Sequence, residues 1–138
     1  MANYYEKART NYFKVKDPVE FQDFIELFNE NIDLVVGKQE KKGSYALLFS
    51  EESGVPSQYY HEDKDEYIEV DFISELSRFI TDDSIVVIQA VGSEKLRFVS
   101  GYAIAVNSKN EQVSININEI YELAKQKFGV NEISEASY

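Results

Sequence analysis

Apolar residues recur along the chain with two different periods, and the points where the period changes divide it into elements. Tyr12 and Lys14 alternate with Phe13 and Val15, so residues 10–16 are expected to form a first strand with one buried face. Asp17, Pro18 and Glu20 then supply an N-cap acid, a proline at the first helical position and an acid at the third, the local chemistry of a helix start. Phe21, Phe24, Ile25 and Phe28 follow at helical spacing as the inward stripe of helix one, leaving Glu20, Asp23, Glu26 and Glu30 on its outer face. Residues 32–36 and 44–50 have strand composition, and the lysine-bearing connection 37–43 predicts that they pair antiparallel.

Regular periodicity fails between residues 51 and 70. Gly54 and Pro56 interrupt the chain, Tyr59 and Tyr60 follow, and Glu62, Asp63, Lys64, Asp65 and Glu66 form an unbroken charged run. A long loop is expected there, either functional or partly mobile. Phe72, Ile73, Leu76, Phe79 and Ile80 describe a second amphipathic helix opened by Asp71 or a nearby acid and closed before Thr81. Residues 84–91 and 96–107 are apolar runs of strand length, and Val113, Ile115 and Ile117 alternate, which gives three successive antiparallel strands. The last helix opens at Asn116, which can cap while Glu119 returns the bond and Ile115 staples against Ile120; it closes at Gly129, after Lys125 and Lys127. The expectation is one α+β domain over residues 1–138, an antiparallel sheet of five to six strands with three helices in the order βαββαβββα, and a tail over 131–138.

Charge changes this picture more than any other bulk property. Twenty-five acids against 14 bases give a net charge of −11 in 138 residues, a field that repels nucleic acid and membrane phosphates and attracts basic surfaces. The excess is uneven: residues 17–40 hold seven acids and one base, and residues 51–83 eleven acids and two bases. Aromatic side chains make up 14 % of the chain and supply a core, so the charge belongs to a solvated surface and not to disorder. Without cysteine there are no disulfides, thiolate metal sites or cysteine nucleophiles, which fits a reducing compartment. No stretch has the length of a membrane span and the N-terminus has no signal-peptide core, so a soluble cytoplasmic protein is expected.

Tests for catalytic chemistry mostly fail on spacing. The glycines fit neither G-x-G-x-x-G nor the P-loop pattern, and G-x-S-x-G does not occur. The lone histidine, His61, is either a base or ligand beside carboxylates or an ordinary solvated side chain. Placing Asp63 at position one of an EF-hand puts Ile68 where glycine is required and Ser74 where a bidentate glutamate is required, so only an irregular divalent-ion site is compatible with the loop acids. No cofactor or metal is expected. The sharper reading of the acids is a partner-binding surface formed by Glu20, Asp23, Glu26 and Glu30 on helix one together with Glu62, Asp63, Asp65, Glu66 and Glu69, the plain alternative being a solvated face. Tyr59, Tyr60 and Tyr67 are either rigid anchors of that interface or cover for a core edge.

TNYFKVKD at 10–17, YALL at 45–48, VPS at 55–57, EKLR at 94–97 and GYAIAVN at 101–107 are together similar to a family of small acidic proteins of phages, plasmids and integrative elements. The resemblance brings no catalytic residues. It implies a genomic context in which small acidic proteins inhibit restriction and CRISPR nucleases, some as DNA mimics. The expected function is therefore non-enzymatic binding of a basic protein surface, a nuclease or effector subunit, with no direct contact to nucleic acid or membrane. An immunity or antitoxin protein against a basic toxin shares the same physics. A small ligand-binding domain with a pocket lined by Tyr12, Tyr45 and Tyr102 is the reading from another class.

Overall fold

The computed structural model describes residues 4–50, 54–94 and 98–135. Eight strands and three helices follow one another as β1 (Tyr4–Thr10), α1 (Pro18–Glu26), β2 (Ile32–Val36), β3 (Tyr45–Phe49), β4 (Gln58–His61), β5 (Glu66–Glu69), α2 (Phe72–Ser77), β6 (Val86–Glu94), β7 (Phe98–Val106), β8 (Gln112–Asn116) and α3 (Glu119–Phe128), with a short 3-10 turn at Gln39–Lys41 between β2 and β3. Six strands form one antiparallel sheet in the order β2-β3-β1-β6-β7-β8, and β4 and β5 form a separate hairpin. The α+β class and the expected order of elements are present, with one hairpin added inside that order.

That hairpin occupies most of the segment expected to be a loop, whose residues 51–53 lie outside the described ones. Tyr59 pairs with Ile68 and Tyr60 with Tyr67 across it. Each strand is four residues long and the turn carries Asp65 at φ 49 in place of a glycine, so neither length nor turn chemistry announced it. The Lys64 N–H donates to His61 Nδ1 at 3.2 Å, closing the charged turn.

The first strand also lies elsewhere than expected, upstream of residues 10–16. In β1 the inward residues are Ala8 and Thr10, too small to mark a strand, and it pairs with β6 along its whole length, from Tyr4 with Glu94 to Thr10 with Ile88. The ladder stops because side chains then take up backbone groups. Leu47 N–H donates to Thr10 Oγ1 at 2.9 Å, Val87 N–H donates to Asn11 Oδ1 at 2.8 Å, and Asn11 Nδ2 donates to the Ile85 carbonyl at 2.9 Å. Beyond this point Phe13 and Val15 make only isolated bridges, to Tyr45 and Ile80. The alternation still sorted the faces, since Phe13 is buried while Tyr12 and Lys14 are exposed.

Helix α1 begins where the local chemistry placed it: Asp17 accepts from the N–H groups of Val19 and Glu20 at 3.0 and 3.2 Å. It stops at Glu26, so Phe28 and Glu30 belong to the turn that follows and not to the helix. Asp71 caps α2 by accepting from Ser74 N–H at 3.3 Å. At α3 the N-cap is Asn118 and not Asn116, because β8 runs to Asn116, whose side-chain Oδ1 accepts from Asn118 N–H at 2.9 Å ahead of the helix; the Asn116 N–H does donate to Glu119 Oε1 at 3.2 Å, and Gly129 takes the left-handed conformation, φ 67, that ends the helix. Ile115 and Ile120, expected to staple that entry, are each about 60 % exposed.

Helices α1 and α2 cover one face of the sheet. Phe21, Ile25, Phe28, Phe72 and Leu76 are buried there against Ala8, Leu47, Phe49, Val86, Ile88 and Val106. Aromatic contacts dominate, with Phe24 stacked on Phe79 at 4.8 Å between ring centroids and Phe28 edge-on to Phe72 at 5.3 Å. The other face carries exposed Leu48, Val91, Val99, Val113 and Ile115. Phe28 is 1 % exposed, so Phe28→Ala is expected to lower the unfolding free energy by about 3–5 kcal/mol in urea denaturation. A loss below ~1 kcal/mol would mean that Phe28 does not join the helices to the hairpin as described.

Candidate functional site

The turn after α1 and the β4–β5 hairpin face each other across a groove of about 710 Å³. Its acids are Glu26 and Glu30 on one side and Glu62 and Asp63 on the other, with Tyr59, Tyr60, Tyr67 and His61 on the hairpin wall. The sequence placed these two acidic segments apart. The contact that joins them is Tyr59 packed edge-on to Phe28, with ring centroids 5.7 Å apart. Because strand side chains alternate, seating Tyr59 on the core turns Tyr60 and Tyr67 the other way, where they contact each other at 5.3 Å while 46 and 66 % exposed. Tyr59 therefore covers a core edge, and Tyr60 and Tyr67 form an aromatic pair in reach of a partner.

The structure does not gather every expected residue into the groove. Asp23 and Glu20 are exposed about one and two turns back along α1 from Glu26. Glu69, opposite Gln58, lines a separate hollow of about 380 Å³ with Ser57 and Asp71. Glu66 pairs with His61 at the outer end of the hairpin. Asp65 accepts a hydrogen bond from the Tyr60 hydroxyl. Leu27, Asn29, Asn31 and Gln58 line the groove and were not anticipated; Leu27, 46 % exposed, falls outside the inward stripe of α1, which is the one signal the sequence offered.

The chain's acids divide by the partners they have. Asp17 and Asp71 cap helices, Glu119 accepts from the Asn116 N–H, Glu75 pairs with Arg78 at 2.9 Å, and Glu26 accepts from Asn29 Nδ2 at 3.2 Å. Among the described residues, Glu20, Asp23, Glu30, Glu62, Asp63, Glu66 and Glu69 have no side-chain hydrogen bond and no basic group within 4.0 Å. Nor do described carboxylates and histidine converge anywhere in a group of three able to hold a metal ion. His61 spends Nδ1 on the turn. Tyr45 and Tyr102 lie on β3 and β7 with β1 and β6 between them, about 14 Å apart at the usual strand spacing.

No helix among the described residues is long and apolar enough to cross a membrane. No family model, curated protein or solved structure matches the chain.

The hydrogen bond to Asp65, followed by partial desolvation and the neighbouring Tyr67 and Glu62, raises the Tyr60 phenol above its ordinary pKa of 10.0. A raised folded-state value means that the contact stabilises the hairpin fully below the unfolded pKa and is lost as pH climbs through the folded one. Tyr60→Phe is expected to remove a late-titrating phenol from the alkaline absorbance titration, and Asp65→Asn to bring that phenol back toward its ordinary range. Loss of a phenol that ionises with the bulk would contradict the contact.

Proposed function

We propose that the protein is a non-enzymatic binding protein that docks its acidic, aromatic groove onto a basic protein surface, and that it inhibits a defence nuclease or nucleic-acid-binding complex by occupying the surface that nucleic acid would take. The observation that carries this reading is the groove itself. Folding brings Glu26, Glu30, Glu62 and Asp63 around Tyr60 and Tyr67, and among the described residues no basic group lies within 4.0 Å of any of the four. Like charges held together resist folding by a few tenths of a kcal/mol per pair, and a basic partner would relieve that repulsion while the tyrosines anchor it. Glu20 and Asp23 would extend the acidic track along α1. The same charge disfavours direct contact with DNA or RNA.

The fitting experiment is affinity capture of the tagged protein from cells that express restriction and CRISPR systems, washed at low and high salt, alongside a Glu26→Lys/Glu30→Lys/Glu62→Lys/Asp63→Lys variant. A basic nuclease or effector subunit is expected on the wild-type protein at low salt, released as salt rises, and displaced by competing nucleic acid. Each reversal taken singly is expected to weaken that complex roughly two- to fivefold, the scale of an exposed ion pair. A partner that binds the quadruple variant as tightly as the wild type would place the interface elsewhere.

A further inference from the structure

We propose that the turn of the β4–β5 hairpin is a pH-sensitive latch on the groove: neutral His61 holds it closed, and the imidazolium releases it and sets a cation on the groove wall. Lys64 N–H donates to His61 Nδ1 at 3.2 Å. Only an unprotonated ring nitrogen can accept, so this bond belongs to the neutral imidazole and is lost when Nδ1 takes up a proton. Histidine is the side chain that exchanges its charge near neutral pH.

The same bond occurs elsewhere in the chain with a different acceptor. Asp17 accepts from Glu20 N–H at 3.2 Å and Asp71 from Ser74 N–H at 3.3 Å, each from the residue three positions on, as His61 does. A carboxyl group keeps an acceptor oxygen in either protonation state, whereas an imidazolium keeps none. Of the three, the bond at the hairpin turn is the one that a proton switches off.

Little else holds that turn. Asp65 N–H donates to the Glu62 carbonyl at 3.3 Å, and Asp65 takes a left-handed conformation, φ 49, that is costly for a residue other than glycine. The Tyr60 hydroxyl donates to Asp65. The strand ladder aside, loss of the Lys64 bond leaves these two ties among the described residues.

Charge around the ring sets the second half of the response. Glu66 stands opposite His61 across the hairpin, and alternation puts both on the side that Tyr59 turns to Phe28. Glu62, Asp63 and Asp65 follow His61 in the turn with Lys64 as the one base, Tyr60 and Tyr67 are the neighbouring phenols, and Glu26 and Glu30 lie across the groove. No described carboxylate is within 4.0 Å of the ring while Nδ1 is engaged by Lys64. An imidazolium freed from the turn enters this field as a cation, in competition with the cations of a basic partner. Acid therefore weakens docking twice, by loosening the hairpin and by neutralising part of the groove. The effect on docking rests on the groove being the interface, whereas the turn itself responds in the free protein.

Amide and ring signals of the isotopically labelled free protein, followed by NMR from about pH 8 to about pH 5.5, read the latch directly. The Lys64 amide is expected to move in one step with the His61 ring. In His61→Asn, whose side-chain oxygen can accept from the same N–H without titrating, that step is expected to vanish while Lys64 keeps its alkaline position. An oligoarginine peptide is expected to bind the wild type roughly three- to tenfold more weakly at the acid end, and His61→Asn with little change. A Lys64 amide that ignores the ring, a step that persists in His61→Asn, or a peptide held in the groove equally at both ends would each overturn the latch. A peptide that leaves residues 26–31 and 58–67 unshifted at either pH would count against the groove as the interface, while the Lys64 step still decides the latch.

Discussion

Phe28 is the residue on which the arrangement depends. Its ring meets Phe24 of α1 at 5.4 Å, Phe72 of α2 at 5.3 Å and Tyr59 of the hairpin at 5.7 Å. It thereby ties together three elements that the sequence keeps apart. Each such aromatic pair contributes about 0.5–1.5 kcal/mol beyond the area it buries. A two-stranded hairpin alone is marginal in water, and this one carries a turn of four charged residues. Seating Tyr59 on Phe28 is what gives the hairpin a fixed place, and with it the acids that face Glu26 and Glu30.

The same constraint sets the acids at one end of the sheet. The hairpin lies near the end of α1 and the start of β2, where Ser50 N–H reaches the Asn31 carbonyl at 2.7 Å. Strand β8 is five strand spacings from β2, ~24 Å across the sheet. Carboxylates without partners gather at the first end, and β8, with Val113 and Ile115 exposed, lies at the other.

Sequence and structure agree best where a local rule acts alone. The Asp17-Pro18 start of α1, the Asp71 cap of α2 and the Asn116 to Glu119 bond of α3 each need only a few adjacent residues, and each forms. Strands β6 to β8 were legible from apolar runs and alternation, although residues 96 and 97, expected at the start of β7, lie outside the described ones. Strand β1 was not legible, because Ala8 and Thr10 are inward but small and only pairing with β6 and β3 defines it. The hairpin was hidden for a related reason: Tyr59 takes its face from Phe28, thirty-one residues earlier, and no pattern within residues 51–70 records that contact. The acids of helix one and of the loop were expected to share one surface; spacing did not record the tertiary contact that sets Glu26 and Glu30 across a groove from Glu62 and Asp63 and leaves Glu20, Asp23 and Glu69 outside it.

The account stands on the acids acting as a site and not as a uniform solvated surface. Titrating isotopically labelled protein with a short arginine-rich peptide, and following amide shifts residue by residue at low salt, distinguishes these directly. Shifts concentrated at residues 26–31 and 58–67, and suppressed by salt, are the predicted result. Shifts spread evenly over every acidic residue of the chain, or absent from the hairpin, would contradict it.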